Sequence, residues 1–201
     1  MTNDPSRRHL IATALAAAGA AALPRPAAAL TDAKARTLID KVVAEINAVI
    51  NSGKSEAAMI RDFEGIFSRY ADVNIIARST LGPASRRASD AQMRAFIDAF
   101  RGYMARKYGK QFRDFIGGRI EVEGVREVKS WHEVQTTVYL RGEAPFEVLC
   151  LVSDRSGRDL FFDIVTEGVS LRLSERTEIG AMLDANKGSI DGLVKDLRRA
   201  G

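Results

Sequence analysis

The strongest constraint in this chain is a change of apolar period at Gly117-Gly118. Ahead of it, large apolar residues recur every three and four positions; beyond it, they alternate or run in short blocks between turn residues. Spacing by three and four builds one stripe on a helix, whereas a two-residue repeat builds one face of a strand. The first part must therefore be helical and the next a sheet, each burying its apolar side against the other.

Thr31 and Asp32 are placed to cap a helix carrying Leu38, Ile39, Val42, Val43, Ile46, Val49 and Ile50, which Asn51-Ser52-Gly53 closes. A second helix begins near Ser55 and carries Met59, Ile60, Phe63, Ile66, Phe67 and Tyr70. A short helical stretch from Val73 to Leu81 stops at Gly82-Pro83. Ser89 then caps a long helix reaching about Phe115, with Met93, Phe96, Ile97, Phe100, Met104, Tyr108, Phe112 and Phe115 on its stripe and Tyr103 at its edge. Past the double glycine, four strands are expected: Arg119 to Val128, Val134 to Arg141, Pro145 to Ser153 and Leu160 to Thr166. The connections Lys129-Ser130-Trp131-His132, Gly142-Glu143 and Asp154-Arg155-Ser156-Gly157 are too short for crossovers, so the strands form an antiparallel meander. Helix returns from Ser170 to Asn186 and from Ser189 to Arg199. The expected class is α+β, with helices packed on a curved four-stranded antiparallel sheet that encloses an apolar pocket.

Residues 1–29 read as a cleavable signal peptide, leaving one domain over residues 30–201. Arg7 and Arg8 precede an apolar run from Leu10 to Leu23, and Ala27-Ala28-Ala29 supplies an A-x-A cleavage site. The run has 14 residues, short of the roughly 18 needed to cross a bilayer. Ser6-Arg7-Arg8-His9-Leu10-Ile11 fits a twin-arginine signal, although paired arginines also occur in Sec leaders. An ordinary Ala-rich helix would be broken by Pro24 and Pro26. Export to the bacterial envelope follows. Loss of the leader removes three arginines and one aspartate, so the formal charge falls from +4 to +2. That is too weak for a nucleic-acid partner. The single cysteine, Cys150, cannot close an internal disulfide, and the core alone must hold the fold.

Catalytic chemistry finds little support. His132, the one histidine after the leader, falls in an expected turn and reads as a surface residue. Cys150 sits among Val148, Leu149, Leu151 and Val152 and reads as a small buried group. No His/Cys cluster has metal-ligand spacing, and Gly117-Gly118 lacks the pattern of a phosphate loop. Asp163 and Glu167 form the one carboxylate pair of note, and a turn-forming or ion-paired role is expected for them. No cofactor, metal or catalytic residue is therefore expected. The nine phenylalanines all fall in expected helices or strands. They fit either a plain core or a deep cleft that holds an apolar ligand. For the cleft, periodicity nominates Phe96, Phe100, Tyr103 and Met104 from the long helix, Val138, Leu140, Val148 and Cys150 from the sheet, and Ile76, Leu81 and Val169 at the rim.

Three segments resemble the MlaC family. Asp163-Ile164-Val165-Thr166-Glu167-Gly168-Val169-Ser170-Leu171, followed by Arg176-Thr177-Glu178-Ile179, is similar to its D-V-x-x-E-G-V-S-L/M and R-x-x-F/I pattern. Ala71 to Gly82 is similar to its D-x-x-x-I-A-x-x-x-L-G segment, and Gln92-Met93-Arg94-Ala95-Phe96 through Phe100 to its Q-x-x-x-F-x-x-x-F helix. The resemblance implies a periplasmic phospholipid-binding carrier that encloses acyl chains and leaves the headgroup in solvent. It implies, as partners, an inner-membrane ABC transporter with an MCE-domain subunit and an outer-membrane lipoprotein complex, and a role in outer-membrane lipid asymmetry; a monomer is expected. Pro83-Ala84-Ser85 stands where the family often has an aromatic pair, and Cys150 where it often has Tyr or Trp. Those departures would reshape the pocket, and a hopanoid-associated branch shares the pattern. Two other classes remain: an enzyme on a scaffold of the nuclear-transport-factor type using Asp163 or Glu167, and a pure interaction module.

Overall fold

The structure, a computed structural model, describes residues 29–111 and 113–201. Phe112 and residues 1–28, which hold nearly all of the expected leader, lie outside the described residues. Four helices come first: α1 Asp32–Ile50, α2 Glu56–Tyr70, α3 Val73–Leu81 and, after a 3-10 turn at Gly82–Arg86, α4 Asp90–Gln111. Strands β1 Arg119–Val128, β2 Trp131–Tyr139, β3 Phe146–Ser153, β4 Leu160–Thr166 and β5 Val169–Ser170 follow. Helices α5 Leu171–Ala185 and α6 Ile190–Leu197 complete the chain.

The helix starts are set by local hydrogen bonds. The Thr31 hydroxyl accepts from the Lys34 N–H, Asp72 accepts from Ile75, and Ser170 and Ser189 cap α5 and α6. Ser89 and Gln92 form a reciprocal pair, each side chain accepting the other's backbone N–H at 3.2 and 3.1 Å. Helix α4 stops at Gln111, short of the expected Phe115. From Lys110 onward the backbone closes three-residue turns, such as Asp114 N–H to Gln111 C=O at 2.9 Å, leading into Gly117 with φ 75°. Gly109 lets α4 approach α2 closely: a Cβ there would lie 2.9 Å from Ile60 Cγ1.

The sheet is an open antiparallel meander in the order β1-β2-β3-β4-β5. Five strands replace the expected four. The fifth forms because Glu167 and Gly168 both take positive φ, 49° and 82°, and fold the chain back so that Thr166 pairs with Val169 and Val165 with Ser170. Two residues are too few to show alternation. The first hairpin also turns earlier than expected, at Lys129-Ser130, with Lys129 at φ 57°. Trp131 therefore pairs with Val128 and His132 with Glu127. His132 is accordingly buried on the inner face of β2 beside Val134, Thr136 and Val138, not on a surface turn, and its Nε2 lies 3.2 Å from Asp32 Oδ1.

The adjacent pair Phe161 and Phe162 is resolved by a bulge. Leu151 pairs with Asp163 but Val152 with Phe161, so Phe162 is the extra residue. Phe161 turns inward, 6.3 Å from the Phe67 ring. Phe162 turns outward and meets Trp131 edge-on at 6.3 Å and 82°.

The inner face of the sheet is covered by helices, while Glu121, Gln135 and Glu147 on the outer face are exposed. Helix α1 lies along β1, α2 packs on α4, α4 on α6 and α3 on α5. An uncovered β1 would offer unpaired backbone groups to other chains. Instead, the Asn47 amide bonds both the N–H and the C=O of Ile120, at 3.1 and 3.0 Å. Arg36 donates to the carbonyls of Val122 and Glu123 at 3.0 and 3.2 Å. Replacing Asn47 by Leu leaves both Ile120 groups unpaired beneath α1. We expect a loss of about 1–3 kcal/mol, read as a lower urea midpoint at unchanged m-value; an unchanged midpoint would show that the edge bonds contribute nothing.

Candidate functional site: an apolar cleft under the sheet

A cavity of about 380 Å³ lies between the inner face of the sheet and helices α1, α2 and α4. Helix α1 presents Ile39, Val42, Val43 and Ile46, its three-and-four stripe, as one wall. Phe63, Ile66 and Phe67 come from α2, and Met104, Tyr108 and Gln111 from the last turns of α4. The sheet side is built from inward positions of every long strand, among them Ile120, Thr136, Val138, Phe146, Val148, Cys150, Phe161 and Ile164. Among the described residues no charged side chain lines it.

Two hydroxyls in the wall, those of Thr136 and Tyr108, are turned to other partners. The Thr136 hydroxyl donates to the Val148 carbonyl at 2.8 Å. The Tyr108 hydroxyl donates to Glu175, which is wholly buried on α5. Burial pushes the Cys150 thiol up to about 12, so it stays protonated and is no nucleophile. Among the described residues no group of three His, Cys, Asp or Glu could hold a metal ion. The wall can exclude water and hold apolar chains.

Behind Tyr108 lies a compact ionic cluster joining α4 to α5. Lys107 Nζ reaches Glu175 Oε1 at 2.7 Å and also pairs with Glu178. The Tyr103 hydroxyl donates to Glu178 at 2.7 Å and stands 3.1 Å from Lys107 Nζ. Burial, reinforced by the neighbouring carboxylates, pushes both tyrosine hydroxyls well above their ordinary range. Burial disfavours the charged Lys107, but its bonds to Glu175 and Glu178 outweigh that and raise it. The bond from Lys107 holds the Glu178 carboxyl below its usual value.

Of the eleven residues nominated from sequence, Met104, Val138, Val148 and Cys150 stand on the cavity wall. Phe96, Phe100 and Tyr103 are buried on α4 but packed on one another, with ring centroids 5.8 and 6.4 Å apart. They face the helical core and not the cavity. Ile76 and Leu81 are buried in α3, Leu140 lies past the end of β2 against Gly118, and Val169 is 62 % exposed. The sequence reading missed the α1 stripe and the α2 phenylalanines as wall residues. Their periodicity was plain, but nothing in it says which helix covers the sheet. Of the Asp163–Glu167 pair, Asp163 is engaged: it accepts from the N–H groups of Ile164 and Arg172 at 2.9 and 3.0 Å and from the Ser170 hydroxyl at 2.6 Å. Glu167 is exposed in the tight turn.

Comparison with protein families matches residues 36–199 to the family described as MlaC protein. The chain belongs to the MlaC family. The segment that carries the likeness, Asp163 to Leu171, is a single structural unit in this MlaC-family chain: β4, the positive-φ turn, β5 and the first residue of α5. Among solved structures, the chain is similar to a phospholipid-binding protein from Ralstonia solanacearum in complex with a phospholipid. The two share 18 % identity at a TM-score of 0.70, covering 82 % of this chain and 95 % of that one. At that identity the likeness concerns the fold. A search of curated proteins by sequence finds no match.

The ionic cluster generates two expectations for this MlaC-family protein. Lys107→Met strands the buried Glu175 without its cation and should cost about 3 kcal/mol in urea unfolding. Glu178, with its folded-state value depressed, contributes stability that is complete above its unfolded value near 4.3 and is lost as pH falls through the folded value. Glu178→Gln should therefore flatten the acid limb of the stability–pH curve; a limb as steep as in the parent protein would assign it to other groups.

Proposed function

We propose that this protein is a periplasmic phospholipid carrier. The observation that carries the reading is a cavity of about 380 Å³ with no charged side chain among the described residues of its wall and with the Thr136 and Tyr108 hydroxyls bonded elsewhere. Each buried methylene contributes about 0.8 kcal/mol, so ten in such a wall contribute roughly 8 kcal/mol without any headgroup contact. Membership of the MlaC family and the fold shared with a phospholipid-binding protein support this ligand over other apolar molecules. The chain carries lipid between the outer membrane and an inner-membrane ABC transporter with an MCE-domain subunit, contacting an outer-membrane lipoprotein complex and so maintaining lipid asymmetry. It works as a monomer, reaches the periplasm by the leader at residues 1–29, and performs no catalysis. The cavity wall supplies acyl-chain contacts from Met104, Val138, Val148 and Cys150, together with the α1 and α2 residues facing them.

The protein purified from its periplasm, extracted with solvent and analysed by mass spectrometry, should yield phospholipid at about one equivalent. Val148→Trp, which places an indole in the cavity, should reduce that several-fold while leaving the far-UV circular dichroism unchanged. An empty parent protein that also takes up no labelled phospholipid from vesicles would sink the reading. A terpenoid mass in place of phospholipid would reassign the ligand to a hopanoid-type lipid.

A further inference from the structure

A second concavity, of about 250 Å³, opens on the outer face of the sheet between the bulged β4 and the β3–β4 loop. It shares no residue with the lipid cavity; the bulge sends Phe161 to one and Phe162 to the other. Its apolar floor is Trp131, Leu151 and Phe162, with the Trp131 and Phe162 rings set edge to face at 6.3 Å. Around that floor stand donors: Arg155, Arg172 and the Ser153 hydroxyl. No aspartate or glutamate lines it.

That charge pattern separates it from the other surface concavities. The one beside α1 and α2 contains its own ion pairs, Lys54 with Asp62 and Arg69 with Glu45. The one on the outer face of β1 to β3 carries Glu133 and Glu147, and the one beneath α3 carries Asp72. In the groove at Trp131 one of the two arginines is paired among the described residues and the other is not. Arg172 is held in place by Ser79 at 3.0 Å and Asp163 at 3.5 Å, with its guanidinium 5.8 Å from the Phe162 ring centroid. Arg155 is exposed and forms no ion pair among the described residues. The Trp131 indole N–H is buried without a hydrogen-bond partner, a donor whose burial costs free energy until an acceptor reaches it. An aromatic floor of two rings set edge to face, the unpaired Arg155 and the unmatched indole N–H define a complementary ligand. It has an apolar body and one anionic acceptor group, and it is smaller than a lipid.

We propose that this groove is a second binding site, for an amphipathic monocarboxylate, with the carboxylate at Arg155 and the apolar group on Trp131 and Phe162. The same chemistry is offered by a free N-acylated amino acid and by the apolar C-terminal residue of a peptide. The site is independent of the lipid-carrier reading and stands or falls separately from it.

Trp131 is the one tryptophan of the chain, so its fluorescence reports the groove directly. Titration of the purified full-length mature protein with N-acetyl-L-phenylalanine should give a saturable change, and the uncharged N-acetyl-L-phenylalaninamide should give none. Arg155→Glu should weaken binding about tenfold, the loss of one charge-assisted bond. Its co-purified lipid content and unfolding midpoint should match the parent, because Arg155 touches neither the cavity nor the core. A pentapeptide ending in phenylalanine, with a free or an amidated terminus, separates the two sources. Binding of the free-acid peptide identifies a chain end as the ligand, and binding of the single residue alone identifies a small molecule. An equal response to acid and amide, no response to either, or an Arg155→Glu variant that binds as the parent does would overturn the site.

Discussion

The residue inserted at Phe162 shifts the β4 register by one, so that the neighbours Phe162 and Asp163 share the outer face while Phe161 and Ile164 both face inward. Without it, strict alternation would turn either Phe161 out of the cavity or Asp163 into it. With it, Phe161 closes the inner wall against Phe67, and Asp163 faces outward. There Asp163 meets the start of α5, accepting the Arg172 N–H and the Ser170 hydroxyl. This contact holds the β4–β5 turn to the start of α5, where Leu171 lies on the cavity wall and Arg172 on the outer groove.

A cavity with an uncharged wall imposes a cost on the elements around it, because α4 and α5 must be held together without intruding on the apolar space. The Tyr103, Lys107, Tyr108, Glu175 and Glu178 cluster meets that requirement. Its polar atoms lie one layer behind the wall, and Tyr108 shows its ring to the cavity and its hydroxyl to Glu175. Burying Glu175 is unfavourable in itself, and the arrangement is tolerable only because one ammonium and one phenol converge on it. The cluster ties α5 to α4 through Glu175 and Glu178.

Much of the fold was legible in the sequence because it depends on local rules. The helix starts at Thr31, Ser89 and Ser189 and the strands β1 and β4 fall where capping chemistry and the two-residue repeat place them. What escaped depends on partners distant in sequence. His132 sits in a stretch that reads as a turn, and only its pairing with Glu127 and its approach to Asp32 draw it inside. The α4 stripe is expected to line the cleft, but Phe96, Phe100 and Tyr103 pack on one another in a helix that also meets α3 and α6, and only Met104, Tyr108 and Gln111 of α4 reach the cavity. Periodicity identifies the buried side of a helix and leaves its neighbour unspecified. In a layered α+β fold, where α4 has helices on two sides and the sheet on a third, that distinction decides which residues belong to the site.

If the cavity holds acyl chains as proposed, its chemistry predicts what it can discriminate. Methylene burial is additive and non-directional, so a wall of aliphatic and aromatic groups grades ligands by chain length and bulk. Its described residues carry no charge with which to read a headgroup, and Thr166 and Gln111 are side chains in the wall whose polar groups bond nothing else among the described residues. Selection among charged headgroups would have to come from residues outside the wall. A carrier built this way accepts lipids by what their tails weigh and releases them when a partner offers an equally dry surface. Directionality then resides in the partners' relative affinities and not in any switch within the cavity wall.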